Sequence, residues 1–310
     1  MQHSQSPKPW IAVILSLFVG PLGLLYVRRV RLALVFFLLT ASLQLIAFVS
    51  KDTVALPAGL AQVVVWLAGT VLSYRFARAY EGEARPWYTR WYGLGGIMLA
   101  AILCVLAGRL FFYETFLVPS SAMMPTLVRS DRLFVRKLGY GHLSIGSARL
   151  GQLQPSRTLA RGDLVVFDTP LERKAIFVKR VVGVPGDRVV VSGGHLFING
   201  RDSRIGAPAV FQGASGGARE ETLRVPEQLD GVRFDTLARK AGPAPLPEPQ
   251  PFPLRERCTW TAEALRCEVP PGHYFVLGDD RDNSLDSRHF GFVDASQVIG
   301  KVAAVFPLER

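Results

Sequence analysis

At 310 residues the chain has room for a membrane anchor plus one domain that buries its own core, or for two ordinary soluble domains. Hydrophobic residues make up 49% of it and mean hydropathy is +0.23, with the apolar excess concentrated before Phe116, which excludes two soluble domains. A net charge of +11 would suit nucleic acid in a soluble protein, but residues 1–93 hold nine Lys/Arg against three Asp/Glu beside apolar runs; this is a topology signal, and no nucleic-acid partner is expected.

Four apolar stretches, Trp10–Val27, Leu32–Val49, Leu56–Ser73 and Leu94–Phe112, each approach the ~20 residues that a helix needs to cross hydrocarbon. Residues 1–93 are therefore expected to form a polytopic region with three spans, and residues 94–115 a fourth transmembrane anchor. One apolar run follows another, unlike a cleavable leader followed by soluble sequence. Arg28, Arg29 and Arg31 in one loop, and Arg75, Arg78, Arg85 and Arg90 in another, belong on the cytoplasmic side. That alternation puts everything after Phe116 outside the cytoplasm. Gly20-Pro21-Leu22-Gly23 offers a break that would fold the first stretch into a re-entrant hairpin and reverse only the N terminus. Trp87, Tyr88, Trp91 and Tyr92 suit the membrane interface.

Beyond residue 116 short β-branched runs alternate with Gly, Pro and Asp, so residues 116–310 read as a β-rich domain. Strands are expected at Leu133–Arg136, Leu164–Phe167, Ile176–Val182, Val189–Val191, Leu196–Ile198, Tyr274–Val276 and Gln297–Val305. Ser192-Gly193-Gly194 should turn a hairpin. Residues 201–256, rich in Gly, Pro and charge, read as an extended, partly polyproline-like insertion with few fixed contacts. Cys104 lies in an apolar run as a small hydrophobe. Cys258 and Cys267 bracket a short polar segment in the part assigned outside the cytoplasm, where a disulfide persists; two free thiols are the alternative.

Three segments carry chemistry. The first is Val118-Pro119-Ser120-Ser121-Ala122-Met123-Met124-Pro125-Thr126-Leu127. The second is Arg161-Gly-Asp-Leu-Val-Val-Phe167 followed by Phe177-Val178-Lys179-Arg180-Val-Val-Gly183-Val-Pro185-Gly186-Asp187. The third is Gly278-Asp279-Asp280-Arg281-Asp282-Asn283-Ser284-Leu285-Asp286-Ser287-Arg288. A lysine can activate a serine hydroxyl if it loses its proton near neutral pH, which burial among apolar neighbours favours. Lys179 lies in Ala175-Ile-Phe-Val-Lys-Arg-Val-Val182, a run suited to that burial. On a strand, Phe177, Lys179 and Val181 share one face, and Arg180 is expected to point the other way and stay solvated.

In order, spacing and position after an apolar run, the three segments together resemble bacterial type I signal peptidases, Ser/Lys proteases of family S26, over most of residues 114–306. The resemblance implies a mainly-β catalytic domain behind α-helical transmembrane segments. It implies Lys179 as general base and Ser120 as the hydroxyl that helps the backbone at 122 stabilise the oxyanion. By the same resemblance Ser284 orients the lysine, Asp286 and Arg288 are a supporting ion pair, and Met123 and Pro125 are structural members of the nucleophile's motif. Two positions depart from the pattern. Asp280 stands where Asn is usual, and Ala122 stands where the nucleophilic serine belongs. Ser121 is not expected to replace it, because the nucleophile immediately precedes Met123. The intact lysine site favours an introduced Ser-to-Ala exchange over a natural pseudoenzyme.

Each residue alone has a plainer reading: Lys179 as a strand lysine, Ser120 and Ser284 as turn residues, the Asp-rich run as a solvated loop. That run lacks the Gly and Glu of a calcium-binding EF-hand loop. The joint pattern implies removal of signal peptides from secretory preproteins at A-x-A-like sites, with no metal and no cofactor. The implied location is the cell's inner membrane, multi-pass, with the catalytic domain on the periplasmic side beside the protein-translocation machinery. The alternative is a non-catalytic membrane protein that binds signal peptides. In either case Ala122 leaves the chain without a nucleophile.

Overall fold

The computed structural model describes residues 6–49, 52–81, 85–146, 148–170, 175–211, 221–246, 251–261 and 263–307. The chain divides into two compact units, Met1–Ala107 and Gly108–Arg310.

The first unit is helical: α1 Pro9–Val19, α2 Leu22–Tyr26, α3 Val30–Val49, α4 Asp52–Arg78 and α5 Trp91–Ala107. Proline at the first turn starts α1 without wasting a backbone donor, and Gly20, with φ of 52°, ends it before Pro21. The expected first span is thereby corrected. Eleven residues reach only about 16 Å at 1.5 Å per residue, roughly half the hydrocarbon thickness. Three helical segments, Val30–Ala47, Leu56–Arg78 and Trp91–Phe112, are long and apolar enough to cross a membrane. Their apolar side chains, such as Leu34, Phe37, Val64, Leu67 and Leu103, are exposed, as lipid-facing residues are.

The second unit is mainly β. Its strands are β1 Tyr113–Leu117, β2 Arg132–Arg136, β3 His142–Ile145, β4 Ala148–Gln152, β5 Leu164–Asp168, β6 Ile176–Gly183, β7 Arg188–Ser192, β8 His195–Ile198 and β9 Arg201–Asp202. There follow β10 Ala209–Val210, β11 Thr222–Leu229, β12 Val232–Arg239, β13 Cys258–Trp260, β14 Ala264–Glu268, β15 His273–Leu277, the short helix α6 Ser287–Phe290, β16 Val293–Asp294 and β17 Val298–Phe306. The main sheet runs β1-β2-β17-β5-β6-β15-β16; a second runs β13-β14-β7-β8-β9 and a third β10-β11-β12. All seven strands expected from the sequence are present. Alternation explains their packing: in β2 and β7 every second residue is buried. The Val189–Ile198 hairpin turns on Gly193 and Gly194, whose φ angles of 55° and 74° fit the left-handed turn that matches strand twist. Val181, Val165, Phe167 and Val276 pack one core layer, and Met123, Leu127, Leu133 and Ile299 another.

The insertion differs from expectation. Instead of an extended segment with few contacts, it contains the eight-residue strands β11 and β12, paired from Thr222↔Arg239 to Leu229↔Val232 around Asp230-Gly231. Val225, Leu229, Phe234 and Leu237 are buried, and so is Glu227. Glu227 accepts hydrogen bonds from Ser203 Oγ (2.9 Å), Thr236 Oγ1 (3.0 Å) and Arg281 Nη2 (2.7 Å). Charge pairing and apolar alternation therefore order a segment whose composition suggested none. Cys258 and Cys267 face each other across β13 and β14 and are joined by a disulfide.

A buried arginine left without its carboxylate is costly. Glu227→Ala is expected to lower stability by about 3–5 kcal/mol, whereas Val232→Ala at the exposed start of β12 should cost under about 1 kcal/mol. Urea unfolding of the two variants checks the difference.

Candidate active site

Strand β6 sits between β5 and β15 in the main sheet, and this central place buries Lys179. The residue pairs with Val165, and its Nζ lies 5.5 Å from the centroid of the Phe177 ring. Burial pushes the Lys179 ammonium below the ordinary lysine range; the Asp286 charge works against that shift, and Arg288 adds to it. A lysine in this setting keeps more of its neutral, proton-accepting form at neutral pH.

Arg180 corrects the expectation of a solvated side chain. It does point away from Lys179, but into a second buried network. Its guanidinium makes a paired contact with Asp279 through Nε (2.8 Å) and Nη2 (2.6 Å), and it donates to Gly162 O at 2.8 Å. It also stacks 4.0 Å over the Phe234 ring. Thr126 Oγ1 donates to Asp279 Oδ2 at 2.5 Å, which ties the Ser120–Leu127 turn to the Gly278–Arg288 loop.

The turn carrying Ala122 follows β1. Met123 is buried under it, Met124-Pro125 is a cis peptide, and Ser120 is exposed. Asp280 N donates to Ala122 O at 3.2 Å, and Asn283 Nδ2 donates to Ser121 Oγ at 3.1 Å. Gly278 permits this approach: a Cβ there would lie 2.6 Å from Ala122 O and 2.1 Å from Ser284 Oγ, so no other residue fits without displacing both. Ala122 and Ser284 are thus neighbours. The hydrogen bond expected from Ser284 to the lysine is not made: among the described residues, Ser284 Oγ is buried with no partner.

Asp286 and Arg288 do form the expected ion pair, with Nε–Oδ1 and Nη2–Oδ2 both at 2.8 Å. Asp286 also caps α6 by accepting from Arg288 N (3.2 Å) and accepts from Gly278 N (3.0 Å). Full burial would raise its carboxyl, but Arg288 by charge and hydrogen bond, with help from Lys179, outweighs that and holds it at about 2. Asp280 is the opposite case. Burial pushes it up to about 6, against a weak contact from Asn283.

Four residues that position the site were not singled out in the sequence: Asp279, Arg281, Asp282 and Thr126. Asp282 accepts from Arg239 N (2.7 Å) and Ala244 N (2.9 Å), and a parallel bridge joins Leu237 to Asp280. Three of the four lie inside the third motif, where charge read as solvation; each of them bonds to β11 or β12, which were not anticipated.

Chemically, the described residues offer a buried lysine whose pKa is lowered, and an unpartnered Ser284 hydroxyl next to Ala122. A family model described as signal peptidase, peptidase S26, matches residues 91–307. Signal peptidase I of Bacillus caldolyticus is 35% identical over 224 residues, covering 72% of this chain and 88% of the relative. A probable signal peptidase I-2 of Synechocystis is 29% identical (71% and 75% covered), and signal peptidase I of Pseudomonas fluorescens 31% identical (68% and 71% covered).

Because Asp280 binds a proton more tightly when folded than at its ordinary value of 3.8, its own contribution to stability is greatest below that pH and is lost as pH rises through about 6. Asp280→Asn is expected to stabilise the domain by on the order of 1–3 kcal/mol at pH 8 and by almost nothing at pH 4. Thermal melts of both proteins across that range measure it; a gain independent of pH would contradict the assignment.

Proposed function

Because the chain belongs to the signal peptidase family, peptidase S26, we infer that its activity type is that of a type I signal peptidase, a serine endopeptidase acting on secretory preproteins at A-x-A-like sites. The observation that carries the residue roles is the burial of Lys179, with its lowered pKa, in a chain whose residue 122 neighbours the Ser284 hydroxyl.

With a serine at 122, neutral Lys179 would accept the hydroxyl proton as the oxygen attacks the scissile carbonyl, then pass it to the leaving amine. The backbone N–H at 122 and the Ser120 hydroxyl would stabilise the oxyanion. Asp286 and Arg288 hold the loop that supplies Ser284. As the chain stands, a methyl group occupies the nucleophile's place, so it binds its substrate and leaves it uncut. Ala122 equally favours the second reading, a membrane protein whose role is to bind signal peptides.

We place the chain in the lipid bilayer as a multi-pass protein of the inner membrane. Arg28, Arg29 and Arg31 before α3, and Arg75, Arg78, Arg85 and Arg90 after α4, suit the cytoplasmic face. The Cys258–Cys267 disulfide suits an oxidising compartment for the β domain. With three spans, α1 and α2 lie on the cytoplasmic side. A site a few residues beyond the last span meets preproteins as they leave the translocation machinery.

Full-length chain carrying Ala122→Ser, in detergent with a preprotein, is expected to cleave it; adding Lys179→Ala should slow cleavage by roughly 10²–10⁴-fold. Cleavage indifferent to the lysine would remove the Ser/Lys assignment. Its kcat/KM should fall as pH drops through the depressed lysine pKa. Asp280→Asn in that background should move this acid limb to lower pH, since the Asp280 charge favours the ammonium.

A further inference from the structure

At one end of the helical unit three helix ends meet. Tyr26 and Val27 at the close of α2, Ala77 in the last turn of α4 and Leu94 in the first turn of α5 share one buried apolar cluster, with Phe76 packed against it. Five arginines lie around this cluster. Arg29 follows Val27 by two residues, Arg75 and Arg78 flank Phe76-Ala77, Arg90 O accepts from Leu94 N, and Arg85 lies over Tyr26. Aromatic side chains hold four of them. The guanidinium carbons of Arg29 and Arg85 stand 4.5 and 4.4 Å from the ring centroids of Phe76 and Tyr26. Arg78 and Arg90 each donate through Nη1 to a tyrosine hydroxyl, Tyr74 and Tyr92, at 3.2 Å. Arg85 is half-buried, but Arg29, Arg78 and Arg90 are exposed. Among the described residues none of the five pairs with a carboxylate, and the roles above use their charge only for orientation.

We propose that this arginine rim is a binding surface for anionic phospholipid, with Arg29, Arg78 and Arg90 as its fixed phosphate contacts. The proposal rests on the placement of the helical unit in a bilayer and is independent of the peptidase reading. A guanidinium held by an aromatic side chain has already lost much of its freedom, so little more is lost when it binds. Arg29 keeps its whole N–H fork, and Arg78 and Arg90 keep the edge formed by Nε and Nη2; a phosphate takes such an edge through two oxygens. Clustered positive charge that the described residues leave uncompensated is satisfied by an anion from outside. Depth decides which anion. Trp87 and Trp91, 64% and 85% exposed, share a segment with Arg85 and Arg90, and exposed indoles suit the headgroup layer better than open water. An anion that meets arginines at that level is a lipid phosphate; a nucleic acid or free phosphate would leave both indoles in water.

For the test, full-length protein is reconstituted in vesicles of phosphatidylcholine with increasing phosphatidylglycerol. Quenching of tryptophan fluorescence by brominated acyl chains, placed on one lipid or the other, gives the relative affinity of the two. Phosphatidylglycerol is expected to be preferred about fivefold. Arg29→Gln with Arg78→Gln should reduce that preference to about twofold or less. Arg31→Gln with Arg75→Gln removes the same charge from exposed arginines that no ring holds among the described residues, and should leave a preference of about fourfold. Equal quenching of every variant by brominated phosphatidylcholine reports that each is folded in the bilayer. Equal affinity of the unaltered chain for the two lipids overturns the proposal whatever the variants do. So does survival of the preference in the first pair, or an equal loss in both pairs, which would mean that net charge alone acts. Absence of quenching by either lipid overturns the bilayer placement as well, and cleavage by Ala122→Ser tests the peptidase reading separately.

Discussion

A fully buried carboxylate that stays ionised is the constraint on which the site depends. Asp286 has lost its water, and Arg288, with its charge and two side-chain hydrogen bonds, does most to keep it anionic, helped by Lys179 and the Gly278 N–H. The anion in turn collects the N–H groups of Gly278 and Arg288, so both ends of the loop close on one side chain. It is also the strongest charge that favours protonated Lys179. The lysine's reactivity is therefore a balance in which burial lowers its proton affinity and Asp286 restores part of it. A protein that buried Lys179 without the pair would make a weaker base, and one with Asp286 but no Arg288 would bury an uncompensated charge.

The run from Gly278 to Asp282 shows how a short polar segment can be held rigid. Successive residues take separate partners. Gly278 lets the loop touch Ala122, Asp279 grips Arg180 and Thr126, Asp280 N holds Ala122 O, Arg281 reaches Glu227, and Asp282 pins the insertion. These partners come from distant parts of the sequence, so the loop is fixed by tertiary contacts and has little regular structure of its own. The loop's buried polar groups are tolerated because most are paired; Arg281 Nε and Ser284 Oγ are the exceptions among its described residues.

The family was legible in the sequence because its motifs are contiguous, and the alternating strands were legible because one face of each is buried. What failed shares one cause. The insertion was read from composition, and Gly, Pro and charge outweighed the local signal of Asp230-Gly231, a two-residue turn whose positive φ angles of 46° and 86° join two β-branched runs. Arg180 was left to solvent because its partner, Asp279, lies 99 positions away. The first apolar stretch had enough hydrophobic length for a span, yet Gly20-Pro21 divides it; hydropathy counts residues, while backbone geometry decides whether they make one helix. In each case the deciding interaction was either a turn conformation or a pairing between remote residues, and neither contributes to composition.

Position 122 separates structure from chemistry. The tethers of the site use its carbonyl, which receives Asp280 N, and the backbone space beside Gly278. Its side chain takes no part in them: the ion pairs of Arg180 with Asp279, Arg281 with Glu227 and Arg288 with Asp286 close without it. Met123 supplies the apolar anchor for the turn, and Thr126 ties it to the loop. A hydroxyl in place of a hydrogen at 122 would therefore disturb none of the tethers that hold the turn against the loop. The turn and the loop it meets are held by backbone and neighbouring side chains, whatever small side chain stands at 122.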